Sequence, residues 1–378
     1  MKSLKTLALV LACLTLSAPA TAAAAAGGQQ AAQSNSNTNQ NAQAQTASAQ
    51  GNQNSSSNQN TSRAQDRDDQ DEPSNPSRGD RPGANVTRTG RRGESRYRFE
   101  LGVMPRYISN YFQTFDDFQT GATAVPVKSV YITTLSASAE YDFVREDDKT
   151  LTGGVRLRRN FFKDLDGADS TDIDVTLEYD FRPNRLRFAY FGTPRRLASV
   201  VSGRNVYSRV NGFNAEYSRR LTRQWRARGG YEFARDTFSE FAERNLSRHE
   251  LSGDIRYQFS PYFTPGVGFE YLRGNAASEN FSYTRPALVL LATSRISDVA
   301  YLSFRYRYSD RDYSTGVTTA SNFGREDRRH DLSFYGTVNL GRGFSLFGYA
   351  YHTDNNSNRL TRTFNSYETG LGLFYRFP

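Results

Sequence analysis

Apolar and polar residues alternate along most of the chain beyond residue 96. The stretch 171–181 has Ile173, Val175, Leu177, Tyr179 and Phe181 on one parity. Asp172, Asp174, Thr176, Glu178 and Asp180 hold the other. A period of two predicts a strand with one apolar and one polar face. The same pattern returns at Leu151, Val155, Leu157 and Phe161, at Trp225, Ala227, Tyr231 and Phe233, at Leu251, Ile255, Tyr257 and Phe259, and at Leu302, Phe304, Tyr306 and Tyr308. About fourteen such segments can be read, beginning near residues 97, 129, 150, 171, 185, 206, 223, 248, 262, 284, 299, 329, 343 and 366. Three are irregular. Met104-Pro105 interrupts the first, the sixth changes phase around Asn211-Gly212, and the tenth is apolar without a break over 287–292.

The connections sort by parity. After even-numbered segments they are short, as at Arg182-Pro183-Asn184, Ser260-Pro261 and Gly341-Arg342-Gly343. After odd-numbered segments they are longer and polar: 109–128, 192–205, 237–247, 275–280, 310–327 and 353–363. Short turns at one end and long loops at the other predict a transmembrane antiparallel up-and-down β-barrel. A soluble sandwich has no reason to sort its loops this way. Phe143, Phe181, Trp225, Phe259, Tyr262 and Phe263 gather at the short-turn end, where an interfacial girdle belongs.

The front of the chain differs. Residues 1–22 read as an export signal, with Lys2 and Lys5, an apolar stretch over 7–16 and a small-residue cleavage site ending at Ala22. Cleavage before Cys13 as a lipoprotein is the rival reading. Residues 23–95 are Ala, Gln, Asn, Ser and Gly, then mixed charge, without one aromatic. Such a segment cannot bury enough apolar area to offset chain entropy, so it is expected to be a disordered extension. It would span on the order of 45 Å. The body, 96–378, is the expected barrel domain.

The last segment carries Gly372, Tyr375 and Phe377, followed by Pro378. A glycine, an aromatic three residues on and another two beyond that resemble the closing strand of Gram-negative outer-membrane β-barrels. Arg- and Tyr-rich strands behind a polar front look most like the β-barrel porin type of that class. The resemblance covers residues 97–378. It implies residence in the outer membrane, contact with outer-membrane lipid and lipopolysaccharide, and insertion by the barrel assembly machinery through Gly372, Tyr375 and Phe377.

If the apolar parity faces lipid, the other faces a lumen. The charged lumen set is then Glu140, Asp142, Arg156, Arg158, Asp172, Asp174, Glu178, Asp180, Arg187, Arg226, Arg228, Glu232, Asp254, Arg256, Glu270, Arg305, Arg307 and Arg376. Strands lie about 4.8 Å apart, so cross-strand ion pairs are expected. Arg159 falls instead on the apolar parity, near the outer end of its strand, where a long side chain can reach headgroups. The loops 109–128 and 310–327 are candidate plugs.

The net charge is +9, yet both signs interleave through the strands, which argues against nucleic acid as a partner. The single cysteine, Cys13, lies in the leader. No phosphate loop, zinc spacing or calcium loop is evident, so no cofactor or metal is expected. The three histidines, His249, His330 and His352, sit at the loop end with no motif that makes a catalytic set, and the chain is expected not to be an enzyme. Three roles remain: a porin-like channel for small hydrophilic solutes, anionic or sugar-like; an outer-membrane part of polysaccharide or envelope export, with the tail recruiting a periplasmic partner; and a structural or adhesive barrel with an occluded lumen.

Overall fold

A computed structural model describes residues 95–111 and 129–377, except 147, 164, 166, 202, 203, 321, 360 and 361, and without the side chains of 199–205. The leader with Ala22, the extension up to residue 94, the loop 112–128 and Pro378 lie outside the described residues.

Fourteen antiparallel strands close into one barrel. They are β1 (Tyr97–Ile108), β2 (Val130–Arg145), β3 (Lys149–Phe162), β4 (Ser170–Phe181), β5 (Asn184–Val201), β6 (Arg204–Arg220), β7 (Trp225–Phe238), β8 (Leu246–Tyr257), β9 (Phe263–Ala276), β10 (Tyr283–Arg295), β11 (Ala300–Tyr313), β12 (Glu326–Gly341), β13 (Phe344–Ser357) and β14 (Phe364–Arg376). Each strand pairs with its sequence neighbours, and β1 pairs with β14 to complete the ring. Closure leaves no sheet edge, the condition for strands to cross lipid.

The outward parity is apolar and bare. Leu251 is 59% exposed, Phe269 55% and Tyr190 52%. A water-soluble protein would bury such a continuous band; here lipid covers it. The girdle expected at the short-turn end is present: Phe143, Trp225, Phe259, Tyr262 and Phe263 are exposed there, and Trp225 packs on Tyr257 at 4.8 Å between ring centroids. The turn Gly341-Arg342-Gly343 runs through positive φ at all three residues, 85°, 51° and 83°, which explains its two glycines.

Three expectations change, at β1, at β6 and at the β5–β6 connection, while β10 is apolar over 287–292 as its sequence reads. β1 passes through Met104-Pro105 unbroken, because Pro105 pairs with Thr133 of β2 while the β14 ladder skips from Val103 to Arg106. A proline has no amide hydrogen, and the gap falls where that hydrogen would be used. β6 keeps one phase: Val210 points inward and packs with Phe191 and Ala234, so an apolar inward residue imitates a phase change. β10 is apolar on both faces, with Leu288 and Leu290 outward and Ala287, Val289 and Leu291 buried within the barrel. The segment 192–205 is a hairpin rather than a long loop, since β5 and β6 stay paired up to Val201 and Arg204. Register shifts near Thr193 and Leu197 bend that hairpin.

Candidate functional site

The inner wall is a lattice of arginines and carboxylates held between strands. It starts at β1, where Arg98 forks onto β2. Its Nε donates to Glu140 at 3.0 Å and its Nη2 to Asp142 at 2.7 Å. Asp142 also accepts from Thr152 of β3 at 2.8 Å and from Arg145. Arg158 of β3 stands 3.7 Å from Asp172 and 3.4 Å from Asp174, both on β4. Arg185 of β5 reaches Glu178 at 2.5 Å and Asp180 at 3.6 Å. Arg228 of β7 bridges Glu216 of β6, at 3.5 Å, and Asp254 of β8, at 2.5 Å. Arg256 meets the other oxygen of Asp254 at 2.8 Å.

The densest knot lies on β11–β13. Asp331 accepts from Arg307 at 2.6 Å, Arg329 at 2.9 Å, the Tyr351 hydroxyl at 2.6 Å and Thr353 at 2.8 Å. Arg307 also leans toward Glu270 at 3.8 Å, and Glu270 accepts from Arg305. Four donors on one buried carboxylate satisfy most of its lone pairs, the condition under which a buried charge is tolerated. At the seam, Arg106 lies 3.3 Å from Glu368, which also accepts from Tyr349.

The eighteen charged residues expected in the lumen lie on the inward parity of their strands, Glu232 between Asn214 and Glu250. The structure brings Glu140, Arg158, Asp172, Asp174, Glu178, Asp180, Arg228, Asp254, Arg256, Arg305 and Arg307 into the lattice just described. Arg156 stands opposite Asp174, and Arg187 between Glu178 and Glu216. Arg226 faces two arginines, Arg220 and Arg256. Arg376 pairs with Glu100 at 3.1 Å at the turn end, where its side chain is 59% exposed. Sequence reading missed Arg98, Arg185, Arg329 and Asp331. Counting parity out from Leu332 and Phe334 would have placed the last two inside.

Tyr375 and Phe377 point outward with ring centroids 4.8 Å apart, and Phe377 is 40% exposed. Gly372 points inward beside Phe374, whose ring occupies the space a side chain at Gly102 or Gly372 would need.

The long-loop end is interlocked. Asn322 donates to the Asn280 carbonyl at 2.8 Å, Asn358 to that of Gly324 at 2.7 Å, and Arg359 to that of Phe323 at 2.8 Å. Beneath these loops Leu246, Leu272, Tyr283 and Tyr313 form an apolar cluster inside the barrel wall. Two arginines are fully buried here in different ways. Arg325 holds Asp327 at 2.5 Å and lies over Tyr313 at 4.5 Å. Arg244, in a single helical turn (Ala242–Arg244), has no hydrogen-bond partner among the described residues. Its guanidinium stacks between Phe241 at 4.6 Å and Phe281 at 5.4 Å, and burial pulls its pKa down to about 9.

The histidines face outward. Tyr231 and Tyr306 hydroxyls lie 2.8 Å from Nδ1 of His249 and His330, and His352 stacks on Tyr367. Alternation puts His330 and Asp331 on opposite faces of the wall.

Solved structures that the chain resembles at low identity include three from bacterial outer-membrane proteins and porins. One is the outer-membrane channel DcaP of Acinetobacter baumannii, with 9% identity over 74% of this chain and 96% of that one, at a TM-score of 0.43. OmpT, an outer-membrane protein of Vibrio cholerae, has 8% identity over 75% and 99%, at 0.41. An anion-selective porin from Comamonas acidovorans has 11% over 74% and 98%, at 0.38. No curated protein sequence matches. The sequence pattern of the surface lipoprotein assembly modifiers matches residues 170–369, from the start of β4 into β14. More than half of the chain is covered, and all of it within the barrel: the chain is an outer-membrane β-barrel and belongs to the surface lipoprotein assembly modifier family.

Proposed function

We propose that the barrel acts in the assembly of lipoproteins at the cell surface by offering a polar path through the outer membrane. The observation that carries this reading is the family match over β4–β14, which falls on the barrel itself and not on the extension before it. The inner wall supports it. Charged side chains of both signs line most of the wall's height, so an extended polar chain would exchange water for guanidinium and carboxylate partners.

Protease shaving of intact cells tests the proposal. Cells lacking the protein should display less lipoprotein to external protease, and the full chain should restore it. Unchanged display in the deletion overturns the reading.

A second reading keeps the path and changes the cargo: small hydrophilic solutes, anionic or sugar-like. The excess of arginine over lysine on the wall favours it, because a guanidinium holds carboxylate or phosphate with two parallel hydrogen bonds. Planar-bilayer conductance of the purified protein separates the two, measured with and without residues 23–95. Steady, charge-selective conductance in both forms supports the solute channel. A current that appears only in the shortened form makes the extension a plug.

A further inference from the structure

The lipid-facing parity turns basic at the long-loop ends of β5–β9. Arg195, Arg209, Arg235 and Arg273 are all exposed there. Pairing sets them side by side. Arg235 stands across from Asn211 of β6 and Ser247 of β8, and Arg273 from His249 of β8. Arg209 lies two residues nearer the loop end of β6 than Asn211, a displacement of roughly 7 Å. Arg195 stacks 3.9 Å over the ring of Tyr207, close to Arg209. Four guanidiniums therefore occupy a narrow band around about a third of the rim.

Among the described residues no carboxylate pairs with Arg209, Arg235 or Arg273. Arg209 and Arg235 have no hydrogen-bond or ion-pair partner among the described residues. Arg273 donates only to the neutral Asn275, at 3.0 Å. The carboxylates of these strands, Glu216, Glu232, Asp236, Glu250, Asp254 and Glu270, are all on the inward parity. Glu240, Glu243 and Glu279 sit in the connections above the band. Across the barrel the same outward positions carry acids: Asp310 and Asp312 on β11, Glu326 on β12 and Asp354 on β13, with Arg328 among them.

Directly below the band the wall is strongly apolar. Phe213 is 46% exposed, Leu251 59% and Phe269 55%. A ligand matching both features has hydrocarbon chains and a headgroup bearing phosphates at the height of the arginines. We propose that this face of β5–β9 is a docking site for the phosphorylated glycolipid of the outer leaflet. Acyl chains lie on Phe213, Leu251 and Phe269, and the phosphates sit among Arg195, Arg209, Arg235 and Arg273. Guanidinium forks match phosphate oxygens bidentately, and at the membrane surface each cation contributes without the cost of full burial. The site makes one side of the barrel glycolipid-bound and leaves the acidic side, β11–β13, to other neighbours.

The full chain in phosphatidylcholine nanodiscs doped with bisphosphoryl lipid A tests this, read as lipid A retained per barrel by native mass spectrometry. The combined variant Arg195→Gln, Arg209→Gln, Arg235→Gln, Arg273→Gln should bind at least about tenfold more weakly. Arg328→Gln, on the opposite rim, should bind as the unmodified protein does. Dephosphorylated lipid A should lose affinity to a similar degree. Inorganic phosphate at matched phosphate concentration should not displace the lipid. If the fourfold variant fails to show heat-modifiable mobility on gels, the pair Arg209→Gln, Arg235→Gln carries the same expectation. Undiminished binding by a folded variant, or equal binding of dephosphorylated lipid A, overturns the site. Displacement by inorganic phosphate overturns the glycolipid as its source.

Discussion

Arg307 and Arg235 are the same residue type on the same barrel, in opposite situations. Arg307 points inward and is locked between Asp331 and Glu270. Arg235 points outward at the rim and has no charged partner among the described residues. Where the inner wall buries a guanidinium, as at Arg307, carboxylates beside it offset the cost of taking the charge out of water. The rim borders water and headgroups, so a guanidinium there can stand alone and await an anion from outside the protein. Arg244 belongs to neither class. It is buried like Arg307, lacks a carboxylate like Arg235, and relies on two aromatic faces.

The comparison breaks most sharply at Asp331. Asp331→Ala leaves Arg307 and Arg329 buried with their shared acceptor gone, and should cost about 3–5 kcal/mol in denaturant unfolding of the micelle-bound barrel. A loss below about 1 kcal/mol would mean that water already shares the knot. Placing an arginine at neither kind of site comes next. Leu290→Arg puts one in the outward apolar band of β10, 43% exposed now to lipid, and should cost about 2–4 kcal/mol by the same assay. Arg244→Met removes a buried guanidinium that has no carboxylate partner among the described residues, and should leave the barrel unharmed or more stable by about 1–2 kcal/mol. A large destabilisation there would assign the stacking on Phe241 and Phe281 a much greater weight. The smallest effect belongs to the rim. Arg235→Gln should shift stability by no more than about 0.5 kcal/mol, because the side chain has nothing to lose inside the protein.

The strand β10 shows why an inner wall is harder to read than an outer one. Lipid demands apolar side chains at outward positions below the rim, so Leu288 and Leu290 obey a rule that holds there all round the barrel. The interior accepts either paired charge or packed hydrocarbon. Ala287, Val289 and Leu291 use the second solution, as Tyr335, Phe347 and Tyr349 do on β12 and β13. From the sequence, β10 therefore looked like a continuous apolar run, and Val210 looked like a change of phase in β6.

Pairing across strands was the other hidden quantity. The inward parity of Asp172, Asp174 and Arg158 was legible, because alternation is local. Which guanidinium meets which carboxylate depends on register between strands, and no single strand carries that information. Arg228 reaching both Glu216 and Asp254, or four donors converging on Asp331, follows only once the strands are aligned.

The sequence by itself determined the class of fold, the direction in which loops and turns sort, the apolar outer face and the aromatic girdle. Each of these follows from a two-residue period or from loop length, both local properties of the chain. Tertiary structure decided the closure of β1 on β14, the length of the β5–β6 hairpin, the pairing of the inner charges and the gathering of Arg195, Arg209, Arg235 and Arg273 on one side. These are contacts between residues far apart in sequence, and the register that brings them together is set by the whole ring.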